Sequence, residues 1–141
     1  MQTFLPYPDF VKSTQVLDNK RLGKQRVEAM QILQTLAEKR KAWSNHPAVK
    51  MWAGYEIALA EYCLQCCVTW RQRGFSDSIV PKVLPYYYNA SHPILYPHWL
   101  GNEEFHISHQ SNLLRKDPDY YGRFFSVPSD LPYIWPTKEQ L

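Results

Sequence analysis

"NHPAVKMWAGYEIALAEYCLQCCVTWRQRG", residues 45 to 74, decides the fold class. Ala48, Val49, Trp52, Tyr55, Leu59, Tyr62, Cys63, Cys66 and Trp70 recur in it at helical spacing and form one broad apolar stripe. Pro47 suits a first helical turn, where its missing N–H has no intrahelical partner to lose, and Gly74 suits a helix end. The spacing therefore predicts one long core helix from about residue 47 to 73. The chain's three cysteines, Cys63, Cys66 and Cys67, crowd into this segment, and no second Cys or His pair stands at zinc-site spacing. An odd number packed into a core stripe fits a reducing compartment, so a cytoplasmic protein is expected.

On the amino-terminal side, Asp18 to about Arg40 is free of proline, with Asp18 as N-cap and only Gly23 against a helix. At about 100° per residue, Leu22, Ala29, Met30, Ile32, Leu33, Leu36 and Ala37 share one arc. Arg26 falls inside that arc, and Arg21, Gln25 and Glu28 lie at its edge. On the other side, a third helix is expected from near Asn102, with Glu103 and Glu104 in its first turn, to near Lys116. Pro6 and Pro8 make residues 1 to 17 an extended lead crossing the surface. Residues 76 to 101, with four prolines and the run Tyr86, Tyr87, Tyr88, read as a long ordered loop, and the tail beyond Lys116 as coil. The expectation is an all-α, compact single domain over 1–141, with three main helices joined by long Pro/Tyr-rich loops. No apolar run reaches the roughly 20 residues of a membrane span, no leader pattern opens the chain, and a monomer is expected.

The formal net charge of +3 is too small to announce a nucleic-acid partner. Ten tyrosines and five tryptophans, many beside Lys, Arg or Pro, suit either a tyrosine-rich core or stacking on bases. No Gly-rich phosphate loop, Gly-x-Ser-x-Gly elbow or His-Glu-x-x-His is present, so the usual nucleotide and hydrolase signatures are missing. Arg26 on an apolar arc needs either an internal carboxylate or an anion in a cleft, with Arg21 and Lys24 a turn away. Glu28, four residues after Lys24, is either a helix ion-pair partner or a carboxylate available for proton transfer. On the third helix His106, His109, Asn112 and Lys116 share a stripe with Phe105 and Leu113, a mixed face suited to a ligand pocket. His46, His106 and His109 also allow a metal-dependent nuclease to be considered.

Four segments, "LDNKRLGKQRVE", "NHPAVKMW", "TWRQRGF" and "HISHQSNLLRKDPDYYG", in this order, resemble the pyrimidine-dimer DNA glycosylase and abasic-site lyase family, whose founding member is phage endonuclease V. The resemblance implies an all-helical enzyme without cofactor or metal, acting on double-stranded DNA that contains a damaged or modified base, and nucleoid-associated when bound. It implies that a terminal α-amine, here of Met1 or Gln2, attacks C1′ of the damaged nucleotide, displaces the base and forms an imine that permits strand cleavage. Glu28 maps onto the assisting carboxylate, and Arg21 and Arg26 onto phosphate contacts. Lys24, His46, His106, His109, Asn112, Arg115 and Lys116 would line the DNA groove. Tyr120, Tyr121 and Arg123 match the family's aromatic, basic carboxyl-terminal segment. Two features differ from the family pattern: Val27 separates Arg26 from Glu28, and Gln2 is large for removal of Met1 and prone to cyclise once bared. Met1 itself, Lys20 or Lys24 can supply the amine instead, or the lyase step is absent. The alternative is a DNA-binding protein of the same fold without catalysis.

Overall fold

Seven helices and no strand are found among the described residues, 1–88 and 93–136, of a computed structural model of the chain. The long ones are α2 (Asn19–Ala37), α4 (Glu56–Gln72) and α6 (Glu103–Lys116). They are accompanied by the shorter α1 (Phe10–Val16), α3 (Pro47–Lys50), α5 (Val80–Tyr88) and α7 (Pro118–Tyr121). The all-α, single-core reading holds. Pro81 falls in the first turn of α5, where its missing N–H costs nothing, so a helix forms where a loop is expected, and Pro85 inside it forfeits one backbone bond. Residues 89–92 of that expected loop, and the end of the expected tail, lie outside the described residues.

The stretch from 47 to 73 is two helices rather than one. Gly54 stands at φ +87° between them, a left-handed position that an L side chain adopts only with strain, and the apolar stripe simply resumes in α4. α4 is the hub, packed by α2, α5 and α1, and Cys63, Cys66 and Cys67 are buried in it as free thiols. Gly23 explains how α2 and α4 approach so closely: a Cβ there would stand 2.9 Å from the Trp70 ring. Trp70 is held between two partners, stacked on Phe75 at 4.2 Å between centroids and covered by the Arg26 guanidinium at 4.5 Å.

The amino terminus differs most from expectation. It does not cross the surface. Gln2, Thr3, Phe4 and Leu5 are buried, and only after Pro8 does the chain turn into α1, with the Asp9 carboxylate accepting the Lys12 N–H at 2.9 Å as its N-cap. A buried strand-like segment with no neighbouring strand must satisfy its backbone groups some other way. Here side chains do it. Gln25 donates to the Gln2 carbonyl at 2.7 Å and accepts from the Phe4 N–H at 2.9 Å. The Tyr62 hydroxyl reaches the Phe4 carbonyl at 2.8 Å, and the Trp52 indole N–H donates to the Thr3 hydroxyl at 3.0 Å. His106 donates from Nδ1 to the Leu5 carbonyl at 2.8 Å, His109 accepts the Leu5 N–H on Nδ1 at 3.0 Å, and Gln110 donates to the Pro6 carbonyl at 2.8 Å.

Ser108, Ser111, Asn112 and Arg115 of α6 hold a second extended segment. Ser111 accepts from the Leu131 N–H at 3.0 Å, Ser108 from the Ile134 N–H at 3.2 Å, and Asn112 donates to the Leu131 carbonyl at 3.1 Å. Arg115 bonds to the Ser129 carbonyl and to the Asn112 side chain. The mixed face of α6, expected to meet a ligand, grips the buried leading residues and the extended segment 129–134, and only Lys116 of it lines the pocket beside Met1.

Burying His109 has a consequence in acid. Burial, and then the proximity of His106, pulls its pKa from 6.5 down to about 3, and burial lowers that of His106 as well. Both rings are therefore neutral in the folded protein and take up protons when it unfolds. Stability is complete above the unfolded value near pH 6.5 and is lost as pH falls toward 3, at about 1.4 kcal/mol per pH unit for His109 alone. Asp18 and Asp77, whose carboxyls sit below their ordinary range, add to the loss only in stronger acid. Urea midpoints measured at pH 7 and at pH 5 are expected to differ accordingly; equal midpoints would mean that His109 takes up its proton without unfolding.

Candidate active site at the buried amino terminus

Threading residues 2–5 between α2 and α6 delivers the first residue to the edge of α2, where Arg21, Lys24, Gln25 and Glu28 line up at helical spacing. A pocket of about 390 Å³ opens there, lined by Met1, Gln2, Glu28 and the cations Lys20, Arg21, Lys24 and Lys116, with Tyr133 on its far wall. The Gln2 N–H donates to Glu28 Oε2 at 3.1 Å, and the Lys24 ammonium stands 3.8 Å from Glu28 Oε1. Arg21 is drawn toward the helix start by Asp18, at 3.2 Å. The carboxyl of Asp18 is pushed up by burial but held below its usual range by the Tyr121 hydroxyl and by Arg21. The lining thus carries four cations and one carboxylate, Glu28, with Arg21 paired to Asp18 just outside it.

His46 borders this site. Its Nδ1 accepts the Ala48 N–H at 3.0 Å as the N-cap of α3, and burial followed by the charge of the terminal amine lowers its pKa, against the opposing pull of Glu28. The ring is neutral near neutral pH and lies within electrostatic reach of both groups. Its ring stands nearly perpendicular to that of Trp135, 5.9 Å between centroids and 86° between planes. The Gln2 side chain points into the same region with its amide nitrogen buried and without a partner; the Tyr133 hydroxyl approaches it but does not meet hydrogen-bond geometry.

The structure thus brings together Met1, Gln2, Arg21, Lys24, Glu28 and Lys116, with His46 alongside. It does not bring the others there. Arg26 lies on the opposite flank of α2, ion-paired with the buried Asp77 and stacked on Trp70, so it serves the packing of α2 against α4 and the start of α5 rather than a phosphate. Asp77 also accepts the Val80 N–H at 2.9 Å; burial raises its pKa, and that N–H and Arg26 more than reverse the effect. His106, His109 and Asn112 are buried and committed to main chain, and Arg115 to the carboxyl-terminal segment. Both ring nitrogens of His106 are taken, Nε2 by the Gly101 N–H at 2.9 Å, so the three histidines weighed for a metal do not converge. Tyr121 is fully buried, its hydroxyl bonded to Asp18, while Arg123 covers the half-exposed Tyr120 ring at 5.8 Å, away from the pocket lining.

Lys20, Gln25, Phe4 and Tyr133 complete the lining. The spacing of Lys20 and Gln25 with Glu28 on α2 is readable once the pocket is located. Tyr133 sits in an extended tail with no periodicity to signal it.

The family model described as pyrimidine dimer DNA glycosylase matches residues 1–80, the span that carries Met1, Gln2, the α2 stripe and His46. No curated protein and no solved structure gives a match.

Proposed function

Because the chain belongs to the pyrimidine dimer DNA glycosylase family, we propose that it excises a damaged base from duplex DNA by attack of its terminal α-amine, assisted by Glu28. The observation that carries this reading is the convergence of Glu28 and the leading residues in one cationic pocket, with the Gln2 nitrogen 3.1 Å from Glu28 Oε2. The pocket lies near the lower end of the roughly 300–1,000 Å³ that hold small ligands, so it suits one extruded nucleotide and not a stacked duplex. In this reading Lys20, Lys24 and Lys116, which line the pocket, hold the flanking phosphates.

In the reaction, the unprotonated amine forms a bond to C1′ as the bond from C1′ to the base breaks and the base leaves with a proton. Positive charge develops on the sugar ring, and the Glu28 carboxylate is the anion available to stabilise it. One amine proton goes to the departing base, and the other passes to the ring oxygen as the C1′–O4′ bond opens, which leaves an imine. Removal of a C2′ proton then expels the 3′ phosphate and cuts the strand, with Glu28 as the acceptor or relay. The amine belongs to Met1 if the chain keeps it and to Gln2 if it does not. No metal or cofactor enters these steps.

Incubation with duplexes carrying pyrimidine dimers or other damaged bases, in the presence of borohydride, tests the proposal. The expected result is a broken glycosidic bond, seen as free base from a single damaged base and as strand cleavage with the base still held by its partner from a dimer, together with a covalent protein–DNA adduct. Binding without either product would leave a DNA-binding protein of this fold, and adduct formation abolished by chelator would favour a metal-dependent reaction.

A further inference from the structure

Between α2 and α3 the chain runs through Lys39, Arg40, Lys41, Ala42 and Trp43, and Trp43 is a large apolar side chain that the core does not use. It is 61% exposed. It is also held in a left-handed backbone conformation, φ +66°, at the third position of a turn closed by the Ser44 N–H on the Lys41 carbonyl at 3.2 Å. Gly or Asn is the ordinary occupant of such a position, and a bulky aromatic ring there is strained. No burial offsets that strain, which marks the residue for a task outside the fold.

The ring is joined to the pocket. Its ring packs on His46 at 6.1 Å between centroids, His46 meets Trp135 at 5.9 Å, Trp135 meets Tyr133 at 5.6 Å, and Tyr133 lines the pocket. Four rings thus run from the pocket wall to an exposed indole. The turn before it is cationic: Arg40 pairs with Glu38, and Lys39 and Lys41 are exposed, with no ion pair among the described residues.

We propose that Trp43 enters the base stack beside the extruded nucleotide, stacking on the adjoining base pair while Lys39 and Lys41 meet the flanking phosphates. The inference rests on the reading of the pocket as a nucleotide site. Extrusion breaks stacking on both sides of the departing base, and an aromatic wedge restores one of them, which lowers the free energy of the open duplex. A protein partner would have little use for a ring placed at the end of a file leading into a lysine-lined cavity.

The test compares Trp43→Ala, Trp43→Asn and Trp43→Phe with wild type in single-turnover base release, on one lesion placed in a fully paired duplex and in an unpaired bubble. Loss of one base-stacking contact corresponds to about tenfold or more. Ala and Asn are expected to slow release by that factor in the duplex and far less in the bubble, where no stack has to be opened, and Phe to retain most of the rate. Melting of the Asn variant is expected at or above the wild-type temperature, because Asn tolerates the turn. Equal rates for Ala and wild type on the duplex, or equal losses on duplex and bubble, would overturn the wedge. The same proteins are titrated against a duplex with 2-aminopurine beside an abasic-site analogue, which needs no turnover. A fluorescence change that wild type gives and Ala does not supports the wedge even if no base is released, an outcome that would sink only the catalytic reading; no change with wild type overturns the wedge whatever the activity.

Discussion

Glu28→Gln is expected to lower base release from damaged duplex by about 10³-fold, the scale of losing a positioned acid–base or charge-stabilising group. The substitution is informative because of what it keeps. An amide oxygen still accepts the Gln2 N–H that Glu28 Oε2 holds at 3.1 Å, so the leading residues stay where they are. Helix α2 loses only the Lys24 contact at 3.8 Å, made by a lysine that is 73% exposed and worth under about 1 kcal/mol. What disappears is the single negative charge facing four cations. Affinity for damaged duplex is therefore expected to hold or rise slightly, because a repulsion with phosphate has been removed. Rate and affinity should separate, and they are read by single-turnover release and by a binding titration of the same protein. A rate within about tenfold of wild type would move the carboxylate role away from Glu28, since even the smaller known contributions of such groups exceed that.

The roles that were legible in the sequence are those written in helical spacing. Asn102 caps α6 with its side chain, Asp18 occupies the N-cap position of α2 but turns its carboxylate to Arg21 and Tyr121 instead, and Arg21, Gln25 and Glu28 at the edge of α2 mark a cleft that the structure contains. What was not legible is the partner of each polar side chain. Gln25, His106 and His109 have the chemistry of a ligand site, and spacing alone cannot tell whether their donors and acceptors face a substrate or the chain's own backbone. They face the backbone, because an extended segment sits where a neighbouring strand would otherwise be needed. Arg26 presents the same ambiguity. Its carboxylate, Asp77, lies 51 residues further along in a turn with no pattern of its own, so only tertiary structure decides between an internal pair and a phosphate contact. The helices α1 and α5 were hidden by flanking prolines that start helices as readily as they break them.

That backbone threading determines the last expectation, which concerns the amine. Blocking it, by selective acetylation or by a short Gly-Ser extension ahead of Met1, is expected to reduce borohydride-trapped adduct to below about a thousandth of wild type, because no nucleophile then remains at the held position. As a class, α-amines are weaker bases than lysine side chains, which favours them as nucleophiles near neutral pH. Position reinforces this. Gln25 fixes both the Gln2 carbonyl and the Phe4 N–H, and the two histidines fix both backbone groups of Leu5, which leaves the amine of Met1 only one residue beyond an immobilised segment. The Lys24 side chain is, by contrast, 73% exposed and unrestrained except by Glu28. Intact mass of the purified protein determines whether Met1 or Gln2 leads the mature chain, and peptide mapping of the trapped adduct identifies the bonded nitrogen. An adduct that survives the block and disappears in Lys20→Ala or Lys24→Ala would assign the chemistry to a lysine. The buried thread would then serve to hold α2 and α6 apart and to shape the pocket, with Glu28 still at its wall.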